Sequence, residues 1–212
     1  HILIEKEDDA KRVIADLEES SEYQARRAAI LDFNRTSRVL RKGIALVPVK
    51  FGISFTATWH NQAGALVHVY RDGSVHLSHG GTEMGQGLHI KVAQVLADAF
   101  GVPLDRVKIT ASNTGKVPNT SATAASSGTD LNAMAALDGA NQIKARMSAH
   151  AARLHGVDPA GIVWQFGGIR VGDRLMRFDE LATSCWMHRV QLSAAGFYMT
   201  PGAGQSEVRI AY

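Results

Sequence analysis

The chain has 212 residues, of which 45% are hydrophobic and 20% charged, so it can bury a substantial core and is not expected to be disordered. Its 23 basic and 20 acidic side chains give a net charge of +3, which is too balanced to indicate a nucleic-acid-binding surface. No apolar run approaches the roughly 20 residues needed to cross a bilayer, and the N-terminus lacks the pattern of a signal peptide. We therefore expect neither a nucleic-acid partner nor a membrane segment.

The single cysteine, Cys185, excludes a disulfide framework within the chain and a thiolate metal cluster. Beside Trp186 it is interpreted as a buried small hydrophobe without an activated thiol. This cysteine usage fits a reducing compartment, so a cytoplasmic location is expected. Because the chain begins at His1 rather than Met, it is also expected to be part of a longer protein.

The first 40 residues are predicted to form a helical segment. Apolar residues recur at helical spacing in residues 8–18 and in residues 22–38. Acidic side chains dominate the start and basic ones the end, which predicts two solvated helices that meet through opposite charges or face a partner. β-Branched and aromatic residues interrupted by Pro48 and Gly52 then predict an irregular strand over residues 42–58, with a boundary near residue 40.

A β-hairpin around an Asp-Gly turn is predicted at residues 65–78, where two runs of strand formers flank the turn. The glycine-rich stretch HGGTEMGQGLH, residues 79–89, follows directly and leads into an amphipathic helix that ends near Gly101. A helix N-terminus carries unsatisfied N–H groups and partial positive charge, and glycines allow close approach to the backbone. The loop therefore predicts an anionic ligand.

Two familiar nucleotide-binding loops do not fit this stretch. The loop of nucleotide triphosphatases requires a lysine after its second glycine, but Gln86 follows Gly85. A dinucleotide-binding fingerprint requires a third glycine at the position of Ile90. Neither standard nucleotide site is therefore expected.

A second unusual loop, residues 113–130, follows the strand predicted at residues 106–112. It consists mainly of small hydroxyl and methyl side chains, and loops of this length are usually functional or disordered. Asp130 or Thr129 is predicted to cap a helix that extends to about Leu154. If the two strand–loop–helix units pack side by side, both helix N-termini face one anionic ligand; two ordinary turns are the alternative.

Four collinear motifs carry a family resemblance: KFGISFT at residues 50–56, NQAGALVHVYRDGSV at 61–75, GGTEMGQGLHIK at 80–91 and VPNTSATAASSGTDLN at 117–132. The chain resembles the molybdenum-cofactor portion of the xanthine dehydrogenases, which are molybdenum hydroxylases. The resemblance implies an oxidoreductase that hydroxylates hypoxanthine and xanthine to urate at a molybdenum–molybdopterin centre. It also implies that electrons pass through 2Fe–2S clusters and FAD to NAD. These carriers would lie on partner domains or subunits, beside the remaining molybdenum-domain segments.

The resemblance implies contacts for the substrate and for the pterin. Phe55 would stack on the planar purine and Thr56 would hydrogen-bond to it. Met84, Gly85 and Gln86 would lie against the pterin, with the Gln86 amide as a donor. Without the resemblance, Phe55 is interpreted as a core aromatic and Thr56 as an ordinary residue of a strand. Gln86 is then a solvated loop amide or an early helix residue.

The second loop would bind the metal end and the phosphate of the cofactor. The backbone of Ala125 would lie next to the molybdenum ligands, because a larger side chain leaves no room there. The pterin phosphate would be held by hydroxyl and amide donors at a helix N-terminus, namely those of Ser126, Ser127, Gly128 and Thr129. The ordinary interpretation of these serines is that they cap the helix.

Glu83 and four histidines are weaker candidates for a functional role. Glu83 lies in the glycine-rich loop and is a candidate base, although a carboxylate in the first turn is commonly stabilised by the helix dipole. Four histidines (His68, His76, His79 and His89) are unusually dense. No carboxylate or thiol completes a convincing ligand set with them, so no protein-ligated metal is expected.

The resemblance leaves the catalytic base outside the chain. In the family a glutamate base follows the matched region, and this sequence reaches Tyr212 without that motif. No catalytic residue is therefore assigned, and the chain alone is not expected to turn over. Two alternatives stay open: a related molybdenum hydroxylase of the aldehyde oxidase type, and a non-catalytic or degenerate cofactor-binding or interaction domain.

The expected fold class is α+β, with mixed β-sheets covered by helices in at least two packed lobes and the cofactor between them. The predicted division is a helical segment at residues 1–40, a molybdopterin-binding core at 41–157 and a smaller α+β unit at 158–212. A turn at Gly172-Asp173 is predicted within the last unit.

Overall fold

The fold is α+β, as predicted. The computed structural model describes residues 7–47, 51–110, 112–117, 119–201 and 210–211. Within those ranges it contains five α-helices and three β-sheets. No helix in the described ranges is both long and apolar enough to cross a membrane.

The chain divides into two compact units. One comprises His1–Ile53 with Val208–Tyr212, and the other comprises Ser54–Glu207. This division differs from the predicted one, in which boundaries fell near residues 40 and 157.

The smaller unit contains the two helices predicted from the sequence. These are α1 (Glu7–Ser20) and α2 (Tyr23–Thr36), and both are confirmed. Strand β1 (Phe51–Gly52) pairs antiparallel with the last strand of the chain, β9 (Ile210–Ala211).

The larger unit is built on a four-stranded mixed sheet. Its strands are β2 (Gln62–Val69), β3 (Val75–His79), β4 (Val107–Ile109) and β8 (Ser193–Met199), in the order β4-β3-β2-β8. β3 and β4 are parallel, whereas the other pairs are antiparallel. The predicted hairpin is confirmed, and a positive φ of 78° at Gly73 forms its turn.

Two helices cover one face of this sheet. They are α3 (Leu88–Phe100) and α4 (Gly128–His155), both predicted from apolar periodicity. α3 ends where Gly101 adopts the left-handed conformation, with φ of 65°. Side chains from both layers are fully buried between helices and sheet, including Val67, Leu77, Leu96, Ile143 and Met147.

A second, three-stranded antiparallel sheet follows α4. It contains β5 (Ile162–Gln165), β6 (Gly168–Val171) and β7 (Arg174–Arg177), followed by α5 (Phe178–Met187). The predicted turn is confirmed, with φ of 60° at Gly172. β8 then pairs with β2 in the main sheet, so the region after residue 157 does not fold as a separate unit.

Helix α4 and strand β8 approach each other through two glycines. A Cβ at Gly196 would lie 2.0 Å from the Ala135 carbonyl oxygen and 2.6 Å from the Gly139 nitrogen. A Cβ at Gly139 would lie 3.1 Å from Val67 Cγ2. Backbone therefore packs against backbone at this contact, which leaves no room for a side chain at residue 196.

Polar side chains of α4 also bind the edge of β8. Asp138 Oδ2 accepts a hydrogen bond from the Phe197 N–H at 3.0 Å, and Gln142 Nε2 donates to the Ala195 carbonyl at 3.1 Å. Arg146 Nη2 donates to the Ser193 carbonyl at 2.7 Å. Since β8 is an edge strand of the main sheet, these bonds satisfy backbone groups that would otherwise face solvent.

Candidate functional site

Two hydrogen bonds bring the three predicted site segments together. The Ser54 N–H donates to the Ala125 carbonyl at 3.0 Å, which joins the substrate segment to the second loop. The Thr82 N–H donates to Thr123 Oγ1 at 2.8 Å, which joins the glycine-rich loop to the second loop. All ten predicted site residues lie in the larger unit, rather than being divided between two lobes.

Phe55 is held by a buried asparagine that sequence reasoning did not identify. Asn61 Oδ1 accepts from the Phe55 N–H at 2.8 Å, and Asn61 Nδ2 donates to the Phe55 carbonyl at 2.9 Å. Among the described residues of the predicted 42–58 segment, namely 42–47 and 51–58, only β1 forms a strand, so Phe55 and Thr56 are not strand residues. The Phe55 ring is half-buried and Thr56 is exposed, which leaves both within reach of a ligand.

The positive φ of Ser54, 89°, explains why the predicted strand does not continue into this segment. That conformation is rare for a residue with a side chain and incompatible with a strand. The Ser54 N–H bond to the second loop and the Asn61 bonds to Phe55 fix the resulting bend.

The first two glycines of the glycine-rich loop face protein atoms. A Cβ at Gly80 would lie 2.0 Å from Thr120 Oγ1, and one at Gly81 would lie 2.5 Å from Leu88 Cδ2. By contrast, a Cβ at Gly85 would have open space around it, and its φ of 96° requires glycine for conformational reasons. Gly80 and Gly81 therefore permit packing of the loop, whereas Gly85 lies on its exposed side.

His79 anchors the start of this loop. It is buried at the end of β3, and its Nδ1 accepts from the Gly81 N–H at 3.1 Å. Burial lowers the pKa of His79 from 6.5 to about 4, with a smaller contribution from the neighbouring His89. The ring is therefore neutral at physiological pH, and it supports the loop as a hydrogen-bond acceptor.

The start of α3 is occupied by a carboxylate of the chain itself. Glu83 Oε1 accepts from the N–H groups of Gly85 at 3.0 Å and Gly87 at 2.9 Å, and Oε2 accepts from His89 N–H at 3.0 Å. These bonds hold the pKa of Glu83 below its usual range, and the bond from the His89 N–H has the largest effect. The expectation that both helix starts face one external anion is therefore wrong for α3.

Gln86 folds back onto the same loop. Its Oε1 accepts from the Met84 N–H at 2.6 Å, and its Nε2 donates to the Thr82 carbonyl at 2.9 Å. An amide nitrogen carries two hydrogens, so one remains for a further acceptor. Met84, Gly85 and Gln86 are all exposed.

The start of α4 has a different arrangement. Ala125 and Ser126 are both left-handed, with φ of 54°, and the N-cap is Ser127 rather than the predicted Thr129 or Asp130. The Ser127 hydroxyl is buried and donates to the Ala124 carbonyl instead of accepting a bond from the helix.

The first amides of α4 therefore receive no hydrogen bond from the Ser127 side chain. Within the described part of the chain, the Gly128 and Thr129 N–H groups form no hydrogen bond. Ser126 is exposed and Thr129 half-buried, so their hydroxyls lie close to these amides in sequence and are partly accessible. Backbone N–H groups with hydroxyls at a helix start are the usual donors for a phosphate.

The two helix starts lie side by side, which is the first of the two alternatives that the sequence left open. A Cβ at Gly128 would lie 3.2 Å from Thr123 Cγ2 and 3.7 Å from Leu88 Cδ2. The Asn132 amide lies beside Gly81 and donates to the Gly128 carbonyl at 2.8 Å.

The histidines form two pairs. His68 and His76 stack across the β2–β3 hairpin with ring centroids 5.7 Å apart, and His79 meets His89 edge-on at 5.0 Å. Across the described ranges, no group of three or more histidine, cysteine, aspartate or glutamate side chains is placed to hold a metal ion. Cys185 is buried as predicted, and burial raises the pKa of its thiol to about 12.

This α+β fold places an exposed glycine-rich loop beside the start of α4, an arrangement in which a ligand can approach the backbone closely. The chain belongs to the family of molybdopterin cofactor-binding domains, whose family model matches residues 16–212.

Several xanthine dehydrogenases are similar in sequence to this chain. It is 47% identical to the xanthine dehydrogenase of Oryza sativa subsp. japonica, over 89% of this chain and 12% of that protein. It is 46% identical to that of Dictyostelium discoideum, over 92% of this chain and 13% of that protein. Identity to the xanthine dehydrogenase/oxidase of Mus musculus is 42%, over 88% of this chain and 13% of that protein. The chain thus spans 12–13% of the length of these relatives.

Solved structures share the fold. Quinoline 2-oxidoreductase from Pseudomonas putida 86 matches with a TM-score of 0.70 and 21% identity, over 90% of this chain and 26% of that chain. CO dehydrogenase from Oligotropha carboxidovorans matches with a TM-score of 0.61 and 27% identity, over 66% of this chain and 18% of that chain.

Proposed function

We propose that this chain forms one wall of the molybdenum centre of a xanthine dehydrogenase, which hydroxylates hypoxanthine and xanthine to urate. Identities of 42–47% to xanthine dehydrogenases support the choice of enzyme. The observation that carries the site is the bond between the Ser54 N–H and the Ala125 carbonyl. It sets Phe55 and Thr56 beside the loop that is proposed to face the metal.

The donors at the start of α4 fit the phosphate of molybdopterin. The free N–H groups of Gly128 and Thr129 would bind its oxygens, with the hydroxyls of Ser126 and Thr129 as further donors. Ser127 is buried and its hydroxyl is bonded to Ala124, so only its backbone is suited to contribute. When bound, the molybdenum cofactor supplies the oxidation chemistry.

The glycine-rich loop would bind the uncharged part of the pterin. Met84 and Gly85 offer an exposed surface, and the second Nε2 hydrogen of Gln86 would donate to a pterin acceptor or to a ligand of the metal. The small side chain of Ala125 would leave room for the metal ligands beside its backbone.

Phe55 and Thr56 would position the purine. The half-buried Phe55 ring would stack on the planar substrate, and the exposed Thr56 hydroxyl would hydrogen-bond to it. Because Asn61 holds both backbone polar groups of Phe55, the backbone that carries the ring is held in place before substrate arrives. No residue of this chain is proposed as the catalytic base.

The electron carriers and the remaining molybdenum-domain segments are proposed to lie outside this chain. They comprise 2Fe–2S clusters and FAD on partner domains or subunits, with NAD as the acceptor. A cytoplasmic location is proposed because the only cysteine is a buried free thiol, which suits a reducing compartment.

The phosphate contact is tested with a matched pair of variants in the intact gene product. Asn and Asp both tolerate the left-handed conformation that Ser126 adopts and have nearly the same shape. Ser126→Asp adds a negative charge beside the proposed phosphate, so its molybdenum and pterin content should fall by about tenfold relative to Ser126→Asn. Equal cofactor content in the two variants would contradict phosphate binding at this helix start.

The substrate assignment is tested by xanthine-dependent NAD reduction. Phe55→Ala should raise the KM for xanthine about fivefold to tenfold, because loss of a stacked aromatic pair costs about 1–1.5 kcal/mol. The control is Phe166→Ala, which truncates an aromatic that is 75% exposed at the β5–β6 turn. Oxidation of aldehydes without xanthine turnover would indicate the aldehyde oxidase alternative, and absence of molybdenum from the intact protein would indicate a degenerate domain.

A further inference from the structure

The carboxylate of Glu83 occupies the anion-binding position at the start of α3. Its two oxygens accept hydrogen bonds from the backbone N–H groups of Gly85, Gly87 and His89. These amides would otherwise point towards an external anion, as they do in phosphate-binding helices.

At the start of α4, next to that of α3, no side chain among the described residues is bound to the first two amides. The Ser127 hydroxyl turns away from the start of α4, and the N–H groups of Gly128 and Thr129 have no acceptor within the described ranges. Glu83 thus occupies three amides at and just before the start of α3, whereas the Ser127 side chain occupies none at the start of α4. A phosphate would otherwise have two competing positions.

Glu83 also fixes the conformation of the residues between it and α3. Its bonds to Gly85 and Gly87 span the segment in which Gln86 binds the Met84 N–H and the Thr82 carbonyl. Gly85 has a φ of 96° and open space beside it, so side-chain packing does not hold the chain at this residue. The carboxylate bonds supply that restraint.

We propose that Glu83 is a positioning residue that presents Met84, Gly85 and Gln86 to the pterin and keeps the start of α3 from binding the cofactor phosphate. The inference rests on the proposed function, because it assumes that the ligand is molybdopterin. Glu83 itself takes no part in proton transfer. Its two oxygens are engaged by three amides, and it acts through the backbone that it holds.

The experiment compares Glu83→Ala and Glu83→Gln with the wild type in the intact holoenzyme. Loss of the carboxylate should increase the rate of molybdenum loss on incubation about two- to fivefold, the usual size of a carboxylate effect at a helix start. The glutamine keeps one oxygen acceptor, so its rate should lie between those of the wild type and Glu83→Ala. The control is Glu180→Gln, which alters a carboxylate that accepts from the Arg177 N–H at the start of α5.

A second readout separates positioning from general destabilisation. Added acetate should occupy the vacated start of α3 in Glu83→Ala and slow molybdenum loss, whereas chloride at equal ionic strength should not. A structural role alone predicts no difference between acetate and chloride.

The outcomes distinguish the inference from the proposed function. Wild-type protein that binds no molybdopterin would overturn the proposed function. Wild-type protein that holds the cofactor, with both Glu83 variants losing molybdenum at the wild-type rate and showing no response to acetate, would overturn the role of Glu83 alone. If Glu83→Ala does not fold, the test rests on Glu83→Gln. Molybdenum loss from Glu83→Gln at the wild-type rate overturns the inference, and faster molybdenum loss supports it.

Discussion

Replacing Gly196 by alanine should destabilise the chain more than any other single added methyl at the contact between α4 and β8. The new Cβ would lie 2.0 Å from the Ala135 carbonyl oxygen, whereas ordinary contacts begin at 3.4 Å, so helix and strand must separate by about 1.4 Å. Overpacking of this kind costs about 1–3 kcal/mol, and loss of the Asp138 and Gln142 bonds to β8 adds about 1 kcal/mol each. We expect the free energy of unfolding to fall by about 3–5 kcal/mol.

The assay is thermal unfolding followed by circular dichroism, in which Gly196→Ala should lower the Tm by about 10 °C. Gly161→Ala is the control, because nothing lies within 4 Å of its added Cβ, and its Tm should change little. Gly139→Ala should lie between the two, since its Cβ meets Val67 Cγ2 at 3.1 Å while alanine favours the helix. A Gly196→Ala variant that melts within about 2 °C of the wild type would refute the close approach of backbone to backbone.

Three further predictions concern buried groups. Lowering the pH from about 6.5 to about 4 should reduce the free energy of unfolding by up to about 3 kcal/mol through His79, because in this range the unfolded chain binds the proton and the folded chain does not. The free energy of unfolding, measured by urea titration at each pH, should depend less steeply on pH in His79→Gln than in the wild type. The same pH dependence in both proteins would contradict this role of His79. Asn61→Leu should raise hydrogen exchange at the Phe55 amide about tenfold or more, measured by mass spectrometry, whereas Asn61→Asp, which keeps the acceptor, should protect that amide. Cys185 should react with iodoacetamide about a thousandfold more slowly in the folded than in the unfolded chain, since burial raises the pKa of its thiol from 9.0 to about 12; equal rates would argue against its burial.

Local patterns in the sequence were sufficient to predict most of the helices and the hairpins. The apolar spacing of α3 and α4, and the Asp-Gly turn after β2, depend on neighbours a few residues away, and the structure confirms them. The sequence left open whether the two strand–loop–helix units pack side by side; they do, because β3 and β4 are neighbouring parallel strands of one sheet.

Long-range contacts explain what the sequence did not reveal. β8 contains Ala194, Ala195 and Gly196, which are weak strand formers, and its pairing with β2 spans more than a hundred residues of chain. The bend at Ser54 depends on a bond to Ala125, which no local pattern indicates. The residues next to Asn61 in the sequence likewise do not indicate that its side chain is buried.

Within the candidate site, the types of residue were predictable but their partners were not. A carboxylate in the first turn of a helix suggested interaction with the dipole, and Glu83 does bind the helix start. Which glycines face protein and which face solvent could not be read from GGTEMGQG. The difference between Gly80 and Gly85 arises from Thr120, which lies 35 or more residues away in the chain.

The bonds from α4 to β8 also determine how far along its axis the helix sits. Asp138, Gln142 and Arg146 recur every four residues, a rise of about 6 Å along a helix. Their partners on β8 recur every two residues, a rise of about 6.8 Å along a strand. Because these spacings nearly match, all three bonds form in a single register, and a slip of one residue would break them together. The edge strand therefore sets the position of the first amides of α4, so that the proposed phosphate site depends on side chains that never contact the phosphate.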